Sequence, residues 1–83
     1  MGYVSKGVEV INILEQSGHE AFFVGGFVRD AILGIKPNDI DIATNALPNV
    51  ISNIFEVVNN GIKFNSVTIV YDGYKFETKY KKA

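Results

Sequence analysis

Apolar residues recur at two different spacings along this chain, and the spacing separates predicted helices from predicted strands. Between residues 4 and 16 the spacing is that of one helical face, with apolar side chains at Val4, Val8, Ile11 and Leu14. Gly18 follows, and glycine enters the left-handed conformation that ends a helix at little cost. We therefore predict a helix over residues 4–16, with Ser5 as its N-cap.

Shorter apolar runs bounded by glycine, proline and asparagine predict the strands. These strands are residues 21–24, 39–43, 57–58, 65–71 and 74–79, the last two joined as a hairpin at Asp72-Gly73. Two more helices are predicted, one over residues 27–33 and one beginning at residues 45–47, where Pro48 suits a first helical turn. This order predicts an α+β fold, in which a mixed sheet of about five strands has helices packed on one face.

Alternation within the predicted strand 39–43 places two acids on the same face. Ile40 and Ile42 point to one side, so Asp39 and Asp41 point to the other. Carboxylates this close repel each other, and a divalent cation offsets the repulsion because hard ions such as Mg²⁺ prefer oxygen ligands. The pair is therefore a candidate metal site. A solvated strand face, with Asp39 capping the preceding turn, is the alternative interpretation.

Glu77, on the last predicted strand, is a candidate third acid. It alternates with Tyr74 and Phe76, which face the opposite side. A carboxylate across the sheet from Asp41 would complete a ligand set, or would accept the proton of an attacking hydroxyl. An exposed strand glutamate with no such role is the alternative.

A glycine pair between a strand and a helix forms the other candidate site. Gly25-Gly26 precedes the predicted helix 27–33, whose first N–H groups could hold a phosphate. Arg29 lies in the first turn of that helix, where a cation is mildly unfavourable unless an anion binds beside it. A plain turn, with Asp30 as the salt-bridge partner of Arg29, is the alternative.

Composition limits the classes of protein to which the chain can belong. Its 83 residues predict one domain, residues 1–83, and the absence of cysteine excludes disulfides and thiolate metal sites. We expect a reducing cytoplasm as its compartment and no membrane span. The net charge of −1 gives no global attraction to nucleic acid, and the one basic cluster is at Lys79, Lys81 and Lys82.

Four motifs follow one another in a fixed order: GGFVRD at 25–30, LG at 33–34, PNDIDIAT at 37–44 and LP at 47–48. Together they resemble the class II tRNA nucleotidyltransferases, or CCA-adding enzymes, and the bacterial poly(A) polymerases. The resemblance extends over about residues 7–77 and implies the head domain of that family, which has the polymerase-β-like nucleotidyltransferase fold.

The resemblance also implies roles for individual residues. Asp39 and Asp41 would bind two Mg²⁺ ions, one activating the 3′-hydroxyl of a tRNA and the other neutralising the triphosphate. Gly26 and Arg29 would hold the incoming CTP or ATP, and Gly25 would shape the same loop. Glu77 occupies the position of the family's strand glutamate.

The sequence departs from the family pattern at two places. Phe64-Asn65-Ser66 replaces the usual His-Gly-Thr segment, so a hydroxyl remains but the glycine does not. After Glu77 the family usually continues Val-Thr-Thr-Phe-Arg, whereas this chain continues Thr78-Lys79-Tyr80. The family's base-selecting and tRNA-binding segments are not among these residues.

We therefore expect a truncated head, an N-terminal fragment that is weak or inactive alone and self-associates through uncovered sheet edges and apolar surface. Three other functions remain open. One is the head of a poly(A) polymerase or of an enzyme that adds part of CCA. Another is a catalytically dead oligomerising or nucleotide-binding module. The third is a small stand-alone nucleotidyltransferase completed by a partner chain.

Overall fold

Two helices and a five-stranded mixed sheet make up the described part of the chain. A computed structural model describes residues 2–25, 33, 40–58 and 66–82. Its elements are α1 (Gly2–Gln16), β1 (Ala21–Val24), β2 (Ile40–Thr44), α2 (Pro48–Ile54), β3 (Glu56–Val58), β4 (Thr68–Tyr71) and β5 (Tyr74–Tyr80). The predicted α+β fold is confirmed. Residues 27–32 of the predicted helix 27–33 and Asp39 of the predicted strand 39–43 lie outside the described residues, and Leu33 is an exposed turn residue.

The strand order is β1-β2-β5-β4-β3, which places β2 and β5 side by side in the middle of the sheet. β2 and β5 are parallel, and the other neighbouring pairs are antiparallel. Because β2 and β5 are far apart in sequence, their pairing brings the region of Asp41 against the C-terminal part of the chain.

One face of the sheet packs against both helices and forms the hydrophobic core. The core residues come from α1, α2, four of the strands and the segments that adjoin them. Those with no exposed surface are Val10, Leu14, Ile40, Ile42, Ile69 and Phe76. Among the described residues, no helix is long and apolar enough to cross a membrane.

The buried face of α1 differs from the predicted stripe. Gly7, Val10 and Leu14 are the buried residues of this helix, whereas Val8 is 44% exposed. The prediction missed Gly7 because glycine does not count as apolar in a hydrophobic pattern. A Cβ at Gly7 would lie 2.8 Å from the Phe23 Cε1 atom, so the small residue lets α1 approach the sheet closely.

The two ends of α1 were predicted with different success. The helix begins at Gly2, so Ser5 lies inside it and its assignment as the N-cap is wrong. Tyr3 packs against the core, and such tertiary contacts extend a helix beyond a local capping signal. The predicted stop at Gly18 is confirmed, because Gly18 has φ +92° and the His19 N–H donates to the Leu14 carbonyl at 3.0 Å.

The start of α2 was predicted too early. Residues 45–47 are not helical, and the helix begins at Pro48 with Leu47 as its N-cap. Leu47 has ψ 155°, the extended conformation expected of a residue before proline. The chain turns before it, because the Ala46 N–H donates to Thr44 Oγ1 at 3.1 Å.

The predicted hairpin at Asp72-Gly73 is confirmed. Tyr71 pairs with Tyr74, and Asp72 and Gly73 both have positive φ, 50° and 82°, as a two-residue type I′ turn requires. The hairpin matches the right-handed twist of its strands, so it sets the register of β5 on β4.

Polar contacts tie this hairpin to α1. Lys6 Nζ lies 2.8 Å from Asp72 Oδ2, and the Tyr71 hydroxyl donates to Glu9 Oε1 at 2.8 Å. The hydrogen bond with Asp72 raises the pKa of Lys6, and that with Glu9 raises the pKa of Tyr71. Both contacts are solvent-accessible, so they orient the hairpin on the helix more than they stabilise the fold.

Candidate functional site

Two of the three predicted acids meet on the face of the sheet that points away from the core. Asp41 on β2 and Glu77 on β5 are direct partners in the parallel register. The preceding pair, Ile40 and Phe76, is fully buried. Because strand side chains alternate, Asp41 and Glu77 share the opposite, more accessible face. Adjacent strands lie about 4.8 Å apart, so the two side chains are neighbours.

Three of the other predicted site residues cannot be placed in this way. Asp39, Gly26 and Arg29 lie outside the described residues, so their roles stay predictions. Within the described ranges, no three histidine, aspartate or glutamate side chains cluster closely enough to hold a metal ion. Asp41 and Glu77 are thus the part of the candidate metal site that the structure positions.

Gly25 lies directly against the carboxylate of Asp41. It follows Val24, the residue of β1 that pairs with Asp41 in the antiparallel register. A Cβ on Gly25 would be 3.3 Å from Asp41 Oδ2, and the residue has φ +90°. Glycine therefore suits this backbone conformation, and a Cβ here would require the Asp41 carboxylate to shift by a few tenths of an ångström. The glycine loop and the acidic strand meet at this point.

The acidic pair also has a positively charged neighbour. Lys79 Nζ lies 3.5 Å from Asp41 Oδ2, with the lysine side chain 55% exposed and the aspartate side chain 26% exposed. Lys79 stands two residues after Glu77 on β5 and therefore on the same face. The sequence analysis placed this lysine only in the C-terminal basic cluster. The alternation of Lys75, Glu77 and Lys79 was the signal that it faces the acids.

Buried hydroxyl contacts hold β5 beside the start of β4, next to Glu77. Thr78 is 1% exposed, and its Oγ1 donates to the Val67 carbonyl at 2.8 Å and accepts from the Val67 N–H at 3.3 Å. Ser66 Oγ donates to the Thr78 carbonyl at 2.8 Å. Ser66, which stands in place of the family's threonine, therefore uses its hydroxyl to hold the Thr78 backbone. These three hydrogen bonds restrain the backbone that carries Glu77.

The donor chemistry of this site fits a divalent cation such as Mg²⁺. Asp41 and Glu77, on two central strands, supply carboxylate oxygens. Oxygens of this kind are the ligands that hard cations prefer. Like charges side by side destabilise a sheet. The ammonium of Lys79, 3.5 Å from Asp41 Oδ2, already supplies one counter-charge to the pair.

Substitution of Gly25 tests whether the contact between Gly25 and Asp41 serves binding. Gly25→Ala and Gly18→Ala should each lower the free energy of unfolding by about 1–2 kcal/mol, because both glycines have positive φ. Only Gly25→Ala should also weaken Mg²⁺-dependent CTP binding, by about tenfold, since a Cβ at Gly18 meets nothing within 4 Å. Urea denaturation and calorimetric titration measure the two effects. Equal binding losses in both variants would contradict the assignment.

Comparison with known proteins identifies the family of this chain. Residues 21–83 match the family described as the Poly A polymerase head domain. The chain is 47% identical to the CCA-adding enzyme of Levilactobacillus brevis over 70 residues, which cover 83% of this chain and 18% of that enzyme. It spans about a fifth of the length of such relatives.

Solved structures of CCA-adding enzymes share the fold. The crystal structure of the Bacillus stearothermophilus CCA-adding enzyme in complex with CTP is similar with a TM-score of 0.80 and 39% identity, over 90% of this chain and 19% of that one. The Thermotoga maritima CCA-adding enzyme complexed with tRNA has a TM-score of 0.65 at 24% identity, over 90% of this chain and 21% of that one. The second likeness concerns the fold alone.

Proposed function

This chain belongs to the poly(A) polymerase head-domain family, and from that membership we propose that it is the nucleotidyltransferase head of a CCA-adding enzyme. In this proposal the head binds CTP or ATP with Mg²⁺. As part of a longer enzyme it transfers CMP and AMP to the 3′ end of tRNA in the cytoplasm. The observation that supports it most is the pairing of Asp41 with Glu77, with Gly25 against the Asp41 carboxylate.

The proposed roles of the residues follow from their positions and from the family resemblance. Asp41, with Asp39, would hold Mg²⁺, which when bound neutralises the triphosphate and activates the attacking hydroxyl. Glu77 adds a carboxylate to the same face and is the candidate acceptor of the hydroxyl proton. Gly26 and Arg29 would bind the phosphates of the nucleotide, while Gly25 leaves room beside Asp41.

Calorimetric titration of CTP and of ATP into the protein, with and without Mg²⁺, tests this function. We expect heat of binding that depends on Mg²⁺. We also expect similar affinities for the two nucleotides, because the proposed contacts are with the phosphates and the metal, which CTP and ATP share. Folded protein that gives no heat would contradict the proposal and favour the catalytically dead module.

Self-association remains a second part of the proposal. Among the described residues, β1 and β3 each have a neighbouring strand on one side only. Phe22 on β1 is 47% exposed, and an accessible edge strand with an apolar side chain can pair with a second copy of the chain. We propose that two copies associate through β1.

Sedimentation velocity tests this association. At high micromolar concentration the protein should sediment as a dimer, and Phe22→Lys should return it to a monomer because a charge on an edge strand opposes pairing. Val58→Lys is the matched control, since Val58 is 44% exposed on the other edge strand. A monomeric unmodified protein, or dissociation by the control alone, would contradict association through β1.

A further inference from the structure

We propose that Lys79 is a built-in counter-ion of the acidic pair, which competes with a divalent cation for Asp41 and so weakens metal binding at this site. The inference rests on the proposed function, because it presupposes that Asp41 binds a metal. It adds a residue to which the family resemblance assigns no role, and it makes the metal affinity of the site depend on a neighbouring charge.

The geometry places the lysine where it can act on the metal site. Lys79 pairs with Ala43 in the β2–β5 register, two residues beyond the pair of Asp41 and Glu77 on each strand. Its side chain reaches back along the sheet until Nζ lies 3.5 Å from Asp41 Oδ2. The ammonium therefore stands within ion-pair distance of an oxygen that a bound metal would need.

The energetics favour a role in binding over a role in stability. Lys79 is 55% exposed, and an ion pair between accessible side chains contributes little to folding because water and salt screen it. The same positive charge a few ångströms from a doubly charged ion repels it. Even with water-like screening, this repulsion lowers metal affinity by about tenfold. A divalent ion that binds through Oδ2 must also displace the ammonium from that oxygen.

The chain offers a closely matched control for this charge. Lys75 lies on the same strand and the same face as Lys79, two residues before Glu77 instead of two residues after it. Its partner on β4 is Val70, on the side of β5 away from Asp41. Lys75→Met and Lys79→Met thus remove the same charge at the same spacing from Glu77, but only the second removes it from beside Asp41.

Titration of Mn²⁺ alone into the protein, without nucleotide and at low ionic strength, tests the inference. Lys79→Met should bind Mn²⁺ about tenfold more tightly than the unmodified chain, whereas Lys75→Met should stay within about twofold of it. Lys79→Arg keeps the charge and should keep the weaker affinity. Added salt should reduce the difference between Lys79→Met and the unmodified chain, because it screens the repulsion.

The outcomes separate this inference from the proposed function. If the unmodified chain binds Mn²⁺ and Lys79→Met binds it no more tightly, the inference is wrong and the metal site stands. An equal gain of Mn²⁺ affinity in Lys75→Met would also overturn the inference, because the gain would then come from the change in net charge and not from the position of Lys79. Binding that appears only in Lys79→Met supports competition in its strongest form. No binding by any variant overturns both proposals.

Discussion

The Asp41→Asn substitution is expected to weaken Mg²⁺-dependent binding of CTP by at least about 100-fold, the largest loss of binding predicted for this chain. Removing a residue that merely orients a metal ligand already costs about 10–100-fold in affinity, so loss of the ligand should cost at least the upper value. Asparagine keeps the shape of the side chain but removes the negative charge that the cation requires. Calorimetric titration at several Mg²⁺ concentrations measures the loss.

The same substitution should leave the fold intact. Asp41 lies on the accessible face beside Glu77, and removal of one of two adjacent like charges relieves repulsion within the sheet. Its ion pair with Lys79 is partly exposed and contributes little to stability. The midpoint of urea denaturation should therefore change little, and the loss of binding can be assigned to the site.

Glu56→Gln provides the matched control for Asp41→Asn. Glu56 is an exposed acid on the edge strand β3, which β4 separates from β5, and its loss changes the net charge equally. It should bind CTP with Mg²⁺ as the unmodified chain does. Unchanged binding by Asp41→Asn, or an equal loss in Glu56→Gln, would contradict the role of Asp41 as a metal ligand. Asp41 would then be a solvated strand residue. Asp39→Asn should behave like Asp41→Asn if the two acids share the metal.

The largest loss of stability should follow Phe76→Ala. Phe76 has no exposed surface, lies on the central strand β5, and packs its ring edge-on against Tyr3 at a centroid distance of 5.3 Å. Replacing a buried phenylalanine by alanine costs about 3–5 kcal/mol through lost burial and the cavity left behind. A domain of this size has about 4–12 kcal/mol of stability in total, so the variant should be close to unfolding.

Urea denaturation followed by circular dichroism measures this loss, with Phe22→Ala as the control. Phe22 undergoes the same chemical change but is 47% exposed on β1, so its loss should cost less than about 1 kcal/mol. The comparison must be made at low concentration, where association through β1 does not contribute. Similar denaturation midpoints for the two variants would show that the core lies elsewhere.

Local patterns in the chain were sufficient for much of the fold. The helix stop at Gly18 and the turn at Asp72-Gly73 were predicted because each depends on backbone conformations that a few residues favour. Alternation assigned Asp41 and Glu77 to the faces opposite Ile40 and Phe76 for the same reason, since the side-chain period of a strand is a local property.

Element boundaries were less predictable where packing outweighs local signals. The start of α1 moved from the predicted Ser5 to Gly2, because Tyr3 packs on the core. At α2 the helix begins only at Pro48, where proline forces the preceding residue into an extended conformation. Gly7 was overlooked because its importance comes from the sheet beneath it, not from its own hydrophobicity.

In the candidate site too, local sequence predicts some features and long-range strand pairing determines the others. Motif order and strand alternation identify the acids, the glycine loop and the family, because those features depend on residues that are close together in the sequence. They do not show that Asp41 pairs with Glu77, that Gly25 touches the Asp41 carboxylate, or that Lys79 reaches the same oxygen. The contacts of Asp41 with Glu77 and Lys79 arise from the parallel register of β2 on β5, which is set by burial of Ile40 beside Phe76. The contact with Gly25 arises from the antiparallel register of β1 on β2, and in both cases only folding brings the strands together.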